Sequence, residues 1–339
     1  MAPNAALLST ELDRKILACL ALDGRASWSQ ISAALGIAES TVSRHFQRLE
    51  EQGYIHITGM LDPQRCGLGN SFWIFLRALP GKAAVLAREL ANHPETRLVV
   101  RLSGRYDVLT EVVVPDREEL VTFLDSPPLR GQISEASSIV VMRNFKAGWE
   151  WASDLLTPRE LHLMRPLRRL PEEARGTVDL DQLDLELLTI LALDGRATNV
   201  SLATRANVDE TTVSRRVNRL RRLGAVVFSP QLDPRSLGFG VEAFVRLSVS
   251  PAEISGAART LAGLHAVRYV SVTTGDADLL CEIVVTSIDE YYNFITSTLS
   301  GIPGVQSSTS SLSLQTLKRA SRSWLKESAT TDNLRKDMK

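Results

Sequence analysis

The sequence predicts an α+β fold of two tandem units, each a winged helix-turn-helix followed by a ferredoxin-like βαββαβ domain. The first observation behind this prediction is an internal repeat. A shift of 171 residues aligns the chain with itself, without a gap, from Leu12 to at least Val114. Residues 12–69 and 183–240 share 23 identities in 58 positions, which indicates a duplication. The second observation is that the apolar pattern of each copy changes from helical spacing to strand alternation.

The repeat and the segment between its copies define the domain boundaries. Residues 157–178 contain three prolines and mixed charge, so a surface linker with one short helix is expected there. The last residues are polar and are expected to fray after Trp324. The predicted domains are winged helix-turn-helix regions at 9–66 and 179–237, ferredoxin-like ligand-sensing and dimerisation domains at 67–156 and 238–320, the linker at 157–178 and a polar tail at 321–339.

The first part of each copy has the pattern of three helices and a wing. Apolar residues at helical spacing begin at Leu12, and Asp23-Gly24 ends them with a glycine suited to a left-handed cap. A short second helix is expected from Ser27 to Gly36, and Gly36 and its equivalent Asn207 are residues that tolerate the positive φ of a tight turn. Residues 54–63, YIHITGMLDP, are expected to supply both strands of a wing. A third helix precedes the wing and buries Val42, Phe46 and Leu49 in copy one and Val213, Val217 and Leu220 in copy two.

Polar side chains on the outward surface of the third helix indicate a recognition helix. The string TVSR at residues 41–44 recurs at 212–215, although packing places no demand on outward positions. Hydroxyl groups and free N–H groups at a helix start can bind phosphates, and arginine can reach guanine edges. The predicted DNA-binding residues are Ser40, Thr41, Ser43, Arg44, His45, Gln47 and Arg48 in copy one and Thr211, Thr212, Ser214, Arg215, Arg216, Asn218, Arg219 and Arg222 in copy two.

Charge distinguishes the two recognition helices. Residues 39–52 carry a net charge of −1 and residues 209–222 a net charge of +3. Because phosphate neutralisation dominates non-specific affinity, copy two is expected to bind DNA more tightly. Such a chain is a built-in asymmetric dimer, suited to an imperfect rather than a palindromic operator. The whole chain has 39 basic and 39 acidic residues, so any DNA contact must come from local charge.

The second part of each copy alternates like β-strands. Residues 71–79 and 241–249 are rich in aromatic and β-branched residues, and each run is followed by a helical pattern. Further strands surround Ser103-Gly104, a helix follows Asp116, and a last strand runs through Ile139 to Met142. A βαββαβ sheet has one helix-covered face and one bare face. Two such sheets stacked face to face within the chain would cover both bare faces.

Composition limits the remaining functions. No apolar run approaches the length of a membrane helix and no signal segment is present, so a cytoplasmic location is expected. The three cysteines, Cys19, Cys66 and Cys281, lack metal-ligand spacing and are expected to be small buried side chains. No nucleotide-binding or hydrolase motif occurs, and neither an enzymatic activity nor a cofactor is predicted.

The repeated pattern of LD, DGR, TVSR and LDP, followed by glycine and aspartate in a strand turn, resembles the Lrp/AsnC (feast/famine) family of transcription regulators. The resemblance covers residues 11–146 and 182–318 and implies a RAM-type effector domain, an amino acid or related metabolite as effector, and homo-oligomers, here dimers or tetramers of tandem chains. The implied effector residues are Ser103, Gly104, Tyr106 and Asp107 in copy one and Thr274, Gly275, Asp276 and Asp278 in copy two.

Three alternatives remain open. One is a purely structural or ligand-storing protein that no longer binds DNA, although the arginines at 215–222 argue against it for copy two. Gly followed by Asp is also what a plain strand turn prefers, so each effector residue has a structural interpretation of equal weight. Ala277 replaces the tyrosine of the family pattern, so the second site is expected to be altered or empty. The fold also resembles sirohaem decarboxylases, whose tetrapyrrole site carries a histidine motif in this loop. None of the five histidines, at positions 45, 56, 93, 162 and 265, occupies either loop.

Overall fold

A computed structural model describes residues 10–127, 129–148, 151, 155–164 and 176–319. The predicted polar tail and residues 165–175 of the predicted linker lie outside this range. The described residues form two compact units that cut across the repeat. The helical unit contains the residues up to Gly67 and those from 155 to Leu237, and the barrel unit contains Leu68–Trp151 and the residues from Gly238 to 319. Equivalent halves of the two copies are therefore grouped together.

The secondary structure follows the repeat. The helices are α1 (Glu11–Leu22), α2 (Trp28–Leu35), α3 (Glu39–Glu51), α4 (Ala83–Asn92), α5 (Arg117–Leu124), α6 (Pro158–Met164), α7 (Gln182–Leu193), α8 (Asn199–Ala206), α9 (Glu210–Arg222), α10 (Ile254–Ala262) and α11 (Ile288–Asn293). The strands are β1 (Ile57–Leu61), β2 (Asn70–Ala78), β3 (Thr96–Leu102), β4 (Val108–Val114), β5 (Ile133–Lys146), β6 (Val226–Pro230), β7 (Val241–Val249), β8 (Val267–Thr273), β9 (Leu279–Val285) and β10 (Val305–Arg319).

The predicted tight turns at the ends of α2 and α8 position α3 and α9, whereas Gly24 does not adopt the left-handed conformation predicted for it and α1 ends at the extended Asp23. Helix α2 ends at Gly36 with φ 68°, and α8 ends at Asn207 with φ 52°. Both residues adopt the left-handed conformation that glycine and asparagine tolerate best, which turns the chain sharply into the next helix. The helix predicted within the linker is α6, and it packs against the other helices of its unit rather than lying free on the surface, with Met164 fully buried.

The wing differs from its prediction. Residues 54–63 contribute one strand, β1, instead of two, and β1 pairs with β6 of the other copy in an antiparallel two-stranded sheet. The single strand ends because Asp62 and Pro63 turn the chain, and its open edge is satisfied by the equivalent strand of copy two. Thr58 lies opposite Ser229, its own equivalent in the repeat. The pairing is therefore symmetric about this position.

The second unit corrects the prediction of two separate ferredoxin-like sheets. The strands of both copies join edge to edge into one closed eight-stranded barrel of order β10-β3-β4-β2-β5-β8-β9-β7. The last strand of each copy is far longer than the predicted Ile139–Met142 and is shared between copies. Strand β5 pairs first with β2 and then with β8, and β10 pairs first with β7 and then with β3. Closure removes the open edges that separate sheets would expose.

The barrel has three apolar clusters. Each copy packs its own helices on the outer surface of its strands, around residues such as Leu86 and Phe123 in copy one and Leu261 and Phe294 in copy two. The third cluster comes from both copies and fills the barrel interior with Trp73, Phe75, Leu98, Val100, Leu102, Tyr106, Leu109, Ile139, Val141, Phe244, Tyr269 and Leu280. The bare faces of the two predicted sheets thus cover each other, as expected, but inside a barrel.

The prediction of buried cysteines is confirmed. Cys19, Cys66 and Cys281 are all buried and free of disulfide bonds. Burial raises the pKa of the Cys19 thiol to about 12, so this group stays protonated near neutral pH. Among the described residues, the structure contains no helix with the length and apolar character that a membrane crossing requires.

Candidate nucleic-acid interface and effector loops

The exposed surface of α3 and α9 carries part of the predicted DNA-binding set. Some of the side chains predicted to bind DNA are exposed, and three of these positions are equivalent in the two helices. Other predicted residues near the helix starts are half-buried, namely Thr41, Ser43, Thr212 and Ser214. The exposed residues are Ser40, Arg44 and Gln47 in copy one and Thr211, Arg215, Asn218 and Arg222 in copy two. Each helix therefore presents a hydroxyl, an arginine and a side-chain amide along one outward stripe, which are the groups that contact phosphates, guanine and adenine.

The other predicted residues bond to a buried aspartate in copy one. Asp13 of α1 is fully buried and accepts hydrogen bonds from Arg48 at 2.5 Å and from the Thr10 hydroxyl at 2.6 Å. His45 Nδ1 lies 2.7 Å from the same carboxylate. Burial raises the pKa of Asp13, but the hydrogen bonds from His45 and Thr10 and the charge of Arg48 outweigh it, so the pKa falls below its usual value.

Copy two repeats this arrangement. Asp184 of α7 is buried and forms ion pairs with Arg216 at 3.2 Å and Arg219 at 3.0 Å. Arg216 also pairs with Asp181. The sequence reasoning missed Asp13 and Asp184, although the recurring LD pair at the start of each copy was a signal for them. Their physical role is to hold the third helix against the first, because a buried carboxylate needs cationic partners.

These ion pairs reduce the charge difference between the two surfaces. Asp184 and Asp181 together balance the charges of Arg216 and Arg219. Arg221 pairs with Asp23 of copy one at 2.8 Å. The exposed cations that remain are Arg44 on α3 and Arg215 and Arg222 on α9. The equivalent of exposed Arg222 in copy one is the exposed Glu51. Copy two is still the more basic, but by less than the sequence count indicates.

The starts of the two helices also differ. The carboxylate of Asp209 caps α9 by accepting a hydrogen bond from the Thr212 N–H at 2.8 Å. Hydrogen bonds from the Thr211 hydroxyl and from Thr212 hold the pKa of Asp209 well below its usual range. The equivalent residue of α3 is Ala38, which offers no side-chain cap. In α3 the equivalent Thr41 N–H donates instead to the Ala38 carbonyl at 3.0 Å, so the start of α3 has a backbone bond where α9 has a charged side-chain cap.

The effector loop predicted in copy one lies where the two copies meet in the barrel. The Ser103 N–H donates to the Leu312 carbonyl at 2.9 Å, and the Ser103 hydroxyl accepts from the Leu312 N–H at 3.0 Å. Gly104 is exposed with φ 97°, a left-handed conformation that a side chain would strain. Asp107 accepts a hydrogen bond from the Ala78 N–H at 2.9 Å, so one of its roles is to fix the strand turn.

The loop of copy two makes the equivalent contacts. The Thr274 N–H donates to the Val140 carbonyl at 3.0 Å, and the Thr274 hydroxyl accepts from the Val140 N–H at 3.0 Å. Asp278 accepts from the Val249 N–H at 2.8 Å, as Asp107 does from Ala78. Gly275 and Asp276 are exposed. Each loop thus binds the last strand of the other copy, and both conserve the turn function of the aspartate.

Side chains around the loops form one polar and aromatic cluster. Tyr106 is buried and donates to Glu135 at 3.1 Å, which also pairs with Arg105 at 2.5 Å. Arg246 of copy two pairs with Asp276 at 2.7 Å and lies 5.3 Å from the Tyr106 ring centre. The cluster offers both a cationic and an anionic group beside an aromatic ring, a combination that suits a small zwitterion.

An asymmetric ion cluster lies among the barrel strands of copy two. Buried Glu282 pairs with Arg268 at 2.9 Å and with Arg319 at 3.0 Å, and Arg319 also pairs with Glu242. Burial raises the pKa of Glu242, whereas the two arginines outweigh burial at Glu282 and lower its pKa. In copy one the residue equivalent to Glu242 is the neutral Ser71, which donates to Glu111 at 2.6 Å.

Two helix-turn-helix segments joined to two ligand-domain copies define a duplicated DNA-binding regulator. The family model for the Lrp/AsnC ligand binding domain matches residues 73–149 and 242–323. A winged helix-turn-helix DNA-binding model matches residues 9–56, and an AsnC-type helix-turn-helix model matches residues 180–221. The chain belongs to the Lrp/AsnC family, in a tandem form.

The curated relatives correspond to one copy of the repeat in length. An uncharacterized HTH-type transcriptional regulator of Pyrococcus abyssi is 32% identical over 136 residues, which are 40% of this chain and 86% of the relative. The HTH-type transcriptional regulator FL11 of Pyrococcus horikoshii is 31% identical over 137 residues, 40% of this chain and 91% of the relative. The Leucine-responsive regulatory protein of Rhizobium meliloti is 28% identical over 147 residues, 42% of this chain and 94% of the relative.

A solved structure is similar in fold over nearly the whole length of the chain. The crystal structure of the siroheme decarboxylase NirDL aligns with a TM-score of 0.62 over 96% of this chain and 100% of that chain. The sequence identity is 15%. This likeness shows a common fold.

Proposed function

We propose that the chain is a sequence-specific DNA-binding transcriptional regulator that responds to a small effector, an amino acid or a related metabolite. The observation that carries the proposal is the stripe of hydroxyl, arginine and amide side chains that α3 and α9 both expose at equivalent positions. Exposed positions face no packing demand, so DNA contact explains why both copies keep these groups. The proposed domain boundaries remain those predicted above, and the proposed place of action is the cytoplasm.

The effector part of the proposal rests on the loops at residues 103–107 and 274–278. Both loops lie where one copy contacts the last strand of the other, so a ligand there would act on the contact between copies. Arg105, Glu135, Arg246 and Asp276 provide charges of both signs for a carboxylate and an ammonium group. Tyr106 has no aromatic equivalent at Ala277, so the two loops are proposed to differ in affinity.

DNA binding is tested with the full chain and a labelled duplex taken from upstream of its own reading frame. Fluorescence anisotropy at 50 and 200 mM salt is expected to show affinity falling by about 100-fold if roughly four phosphates are contacted. Arg44→Ala combined with Arg215→Ala is expected to abolish the preference over a random duplex. Arg117→Ala, an exposed arginine of α5 in the barrel unit, is the matched control. Unchanged sequence preference in the double variant would contradict the assignment.

Effector binding is tested by isothermal titration of the full chain with the twenty amino acids. At least one is expected to release heat, and Arg246→Ala is expected to weaken its binding at least tenfold because the proposed anion-binding group is lost. Lys82→Ala, on the N-terminal side of α4, is a surface control outside the loop cluster. A panel that gives no heat for any amino acid would remove amino acids from the proposal.

A second candidate function is a sirohaem-decarboxylase-like activity, favoured by the similarity of fold over nearly the whole chain. The structure places His45 against Asp13, and His56 donates to the Leu193 carbonyl at 2.7 Å. Both histidines already have structural partners. Titration with a synthetic iron tetrapyrrole distinguishes the candidates: a regulator is expected to leave the Soret band of the free compound unchanged, whereas a saturable shift would support the enzyme.

A further inference from the structure

The paired strands β1 and β6 relate the two copies by a local two-fold axis. Their antiparallel register places Thr58 opposite Ser229, and Ile57 and Leu61 opposite Pro230 and Val226. Thr58 and Ser229 are equivalent in the repeat, and the pairing of Ile57 with Pro230 has its counterpart in the pairing of Gly59 with Phe228. An antiparallel pair centred on equivalent residues has two-fold symmetry. The first helix of each copy packs against the strand of the other copy, α1 against β6 and α7 against β1, in the same two-fold relation.

The repeated DGR motif fixes this arrangement. The Gly24 N–H donates to the Phe228 carbonyl at 2.9 Å, and the Gly195 N–H donates to the Ile57 carbonyl at 2.9 Å. A Cβ atom on Gly24 would lie 2.8 Å from the Phe228 backbone, and one on Gly195 would lie 2.8 Å from that of Thr58. Only glycine permits this approach. The motif therefore serves the contact between copies and is not free to bind DNA.

Two arginines of the same motif complete the contact. Arg25 donates to the Ala197 carbonyl at 2.8 Å, and Arg196 donates to the Gly24 carbonyl at 2.7 Å. Arg196 also lies 4.1 Å from the Trp28 ring centre. The hydrogen bonds from both glycines and both arginines all join copy one to copy two within one chain. The two recognition surfaces are held as a pair without a second chain.

The paired surfaces carry the same classes of group at equivalent positions, but they differ in side-chain size and in one charge. Gln47 on α3 corresponds to Asn218 on α9, and Ser40 corresponds to Thr211. The C-terminal end of α3 exposes Glu51, where α9 exposes Arg222. Glutamine and asparagine both pair with adenine but reach different distances, and glutamate repels the phosphates that arginine attracts. The symmetry of the backbone is therefore not matched by symmetry of the contact groups.

We propose that a single chain binds a complete DNA site made of two unlike half-sites in inverted orientation, with α3 contacting one half-site and α9 the other. This inference rests on the proposed DNA-binding function. The two-fold axis sets the inverted orientation, and the unlike side chains set the unlike half-sites. Both half-sites contain guanine and adenine contacts, from Arg44 and Gln47 in one and from Arg215 and Asn218 in the other. The half-site read by α9 contributes the larger share of the electrostatic affinity, because Arg222 replaces Glu51.

The experiment is binding-site selection from a random duplex pool by the full wild-type chain and two single variants. Wild type is expected to enrich two different half-sites, L and R, in inverted orientation. Arg44→Ala is expected to erase base preference in one half-site only, and Arg215→Ala in the other half-site only. Both side chains are exposed, and no ion pair or hydrogen bond to the protein is seen for either among the described residues, so both variants are expected to melt like wild type.

Synthetic duplexes then measure the asymmetry. The L–R duplex is expected to bind at least tenfold more tightly than the palindromes L–L and R–R. Arg222→Glu is expected to reduce the slope of log affinity against log salt by about 1, and Glu51→Arg to increase it by about 1. A palindrome that binds as well as L–R, a direct repeat, or loss of preference in both half-sites from one variant would overturn the inference. Failure of wild type to enrich any sequence would overturn the proposed function itself.

Discussion

The two copies of the repeat make the same contacts with each other at the DGR motif and at the effector loops, but several of their charged groups differ. The glycine contacts at Gly24 and Gly195 have the same length, and the loops at Ser103 and Thr274 make matching hydrogen bonds. By contrast, Glu242 of copy two corresponds to a serine in copy one. The glycine is the same in both copies because each must allow an equally close approach of the other copy's backbone. Charged positions away from the axis are free to diverge.

This difference separates the structural role of the duplication from its functional role. Backbone hydrogen bonds and close glycine approaches hold the pairs β1–β6 and β5–β8 with little dependence on individual side chains. The divergent groups are the helix cap at position 209, the arginine at 222 and the ion cluster around Glu282. A fused chain can specialise its halves in this way, whereas a homodimer cannot, because its subunits are identical.

The largest expected effect comes from the ion cluster. Glu282→Gln should lower the free energy of unfolding by about 3 kcal/mol, because Arg268 and Arg319 lose their shared buried carboxylate. The equivalent change Glu111→Gln should cost clearly less, since Arg97 lies 3.7 Å away and the Ser71 hydroxyl can still bond to the amide oxygen. Urea unfolding of both variants measures the comparison. Equal losses would show that the two copies tolerate charge removal alike.

The next effect concerns the arginines of the DGR motif. Arg196→Ala should destabilise the helical unit by about 2 kcal/mol, because it removes hydrogen bonds to the Gly24 and Ala26 carbonyls and a cation–π contact with Trp28. Arg25→Ala should cost about half as much, since Arg25 makes one such hydrogen bond and lies 5.0 Å from the Phe228 ring centre. Thermal unfolding followed by circular dichroism provides the measurement. A larger loss in Arg25→Ala would reverse the inferred asymmetry.

A smaller effect is expected at the starts of α3 and α9. Asp209→Ala should destabilise by about 1 kcal/mol through loss of the helix cap, and Ala38→Asp should stabilise by a similar amount by adding one. Asp209→Asn is the control, because asparagine also caps helices but carries no charge. Each of the two substitutions makes the starts of α3 and α9 more alike. Chemical denaturation measures the resulting change in the free energy of unfolding. No gain in Ala38→Asp would mean that the start of α3 is satisfied in another way.

The smallest expected effect is a loss of stability in acid that depends on Asp13. The pKa of Asp13 is lower in the folded state than its ordinary value, so this group contributes stability above the ordinary value of about 4 and loses it as the pH falls further. The unfolding free energy should therefore decline below pH 4, and less so in Asp13→Asn, whose side chain does not titrate. Denaturation profiles between pH 2.5 and 7 test this. A decline of the same depth in the variant would assign the acid sensitivity to other carboxylates.

Much of each copy could be predicted from local pattern. The helices α1 to α3, the left-handed turns at Gly36 and Asn207, and strand β7 lie where apolar spacing and turn residues place them. The wing and the last strands could not be predicted in the same way, because their partners are strands of the other copy. Strand β5 shows the reason: its second half pairs with β8 of the other copy, and that strand completes its hydrogen bonds.

The candidate site was predictable to a similar degree. The outward stripe of Arg44 and Gln47 followed from helical spacing, and the exposure of those residues agrees with it. The same spacing placed Arg48, Arg216 and Arg219 outward, but these arginines reach back to buried carboxylates. Long flexible side chains at the border of a helix face can serve either solvent or core, and the choice depends on which acidic group lies beneath.

The sequence by itself determined the duplication, the family and the residues that face outward on the third helix, because repeats and periodicity are local properties of the chain. The tertiary structure alone decided how the copies combine. Equivalent halves pair with each other, two strands meet at Thr58 and Ser229, and eight strands close a barrel. The physical reason is that unpaired backbone groups on an edge strand can be satisfied by many partners, and only the folded chain selects one.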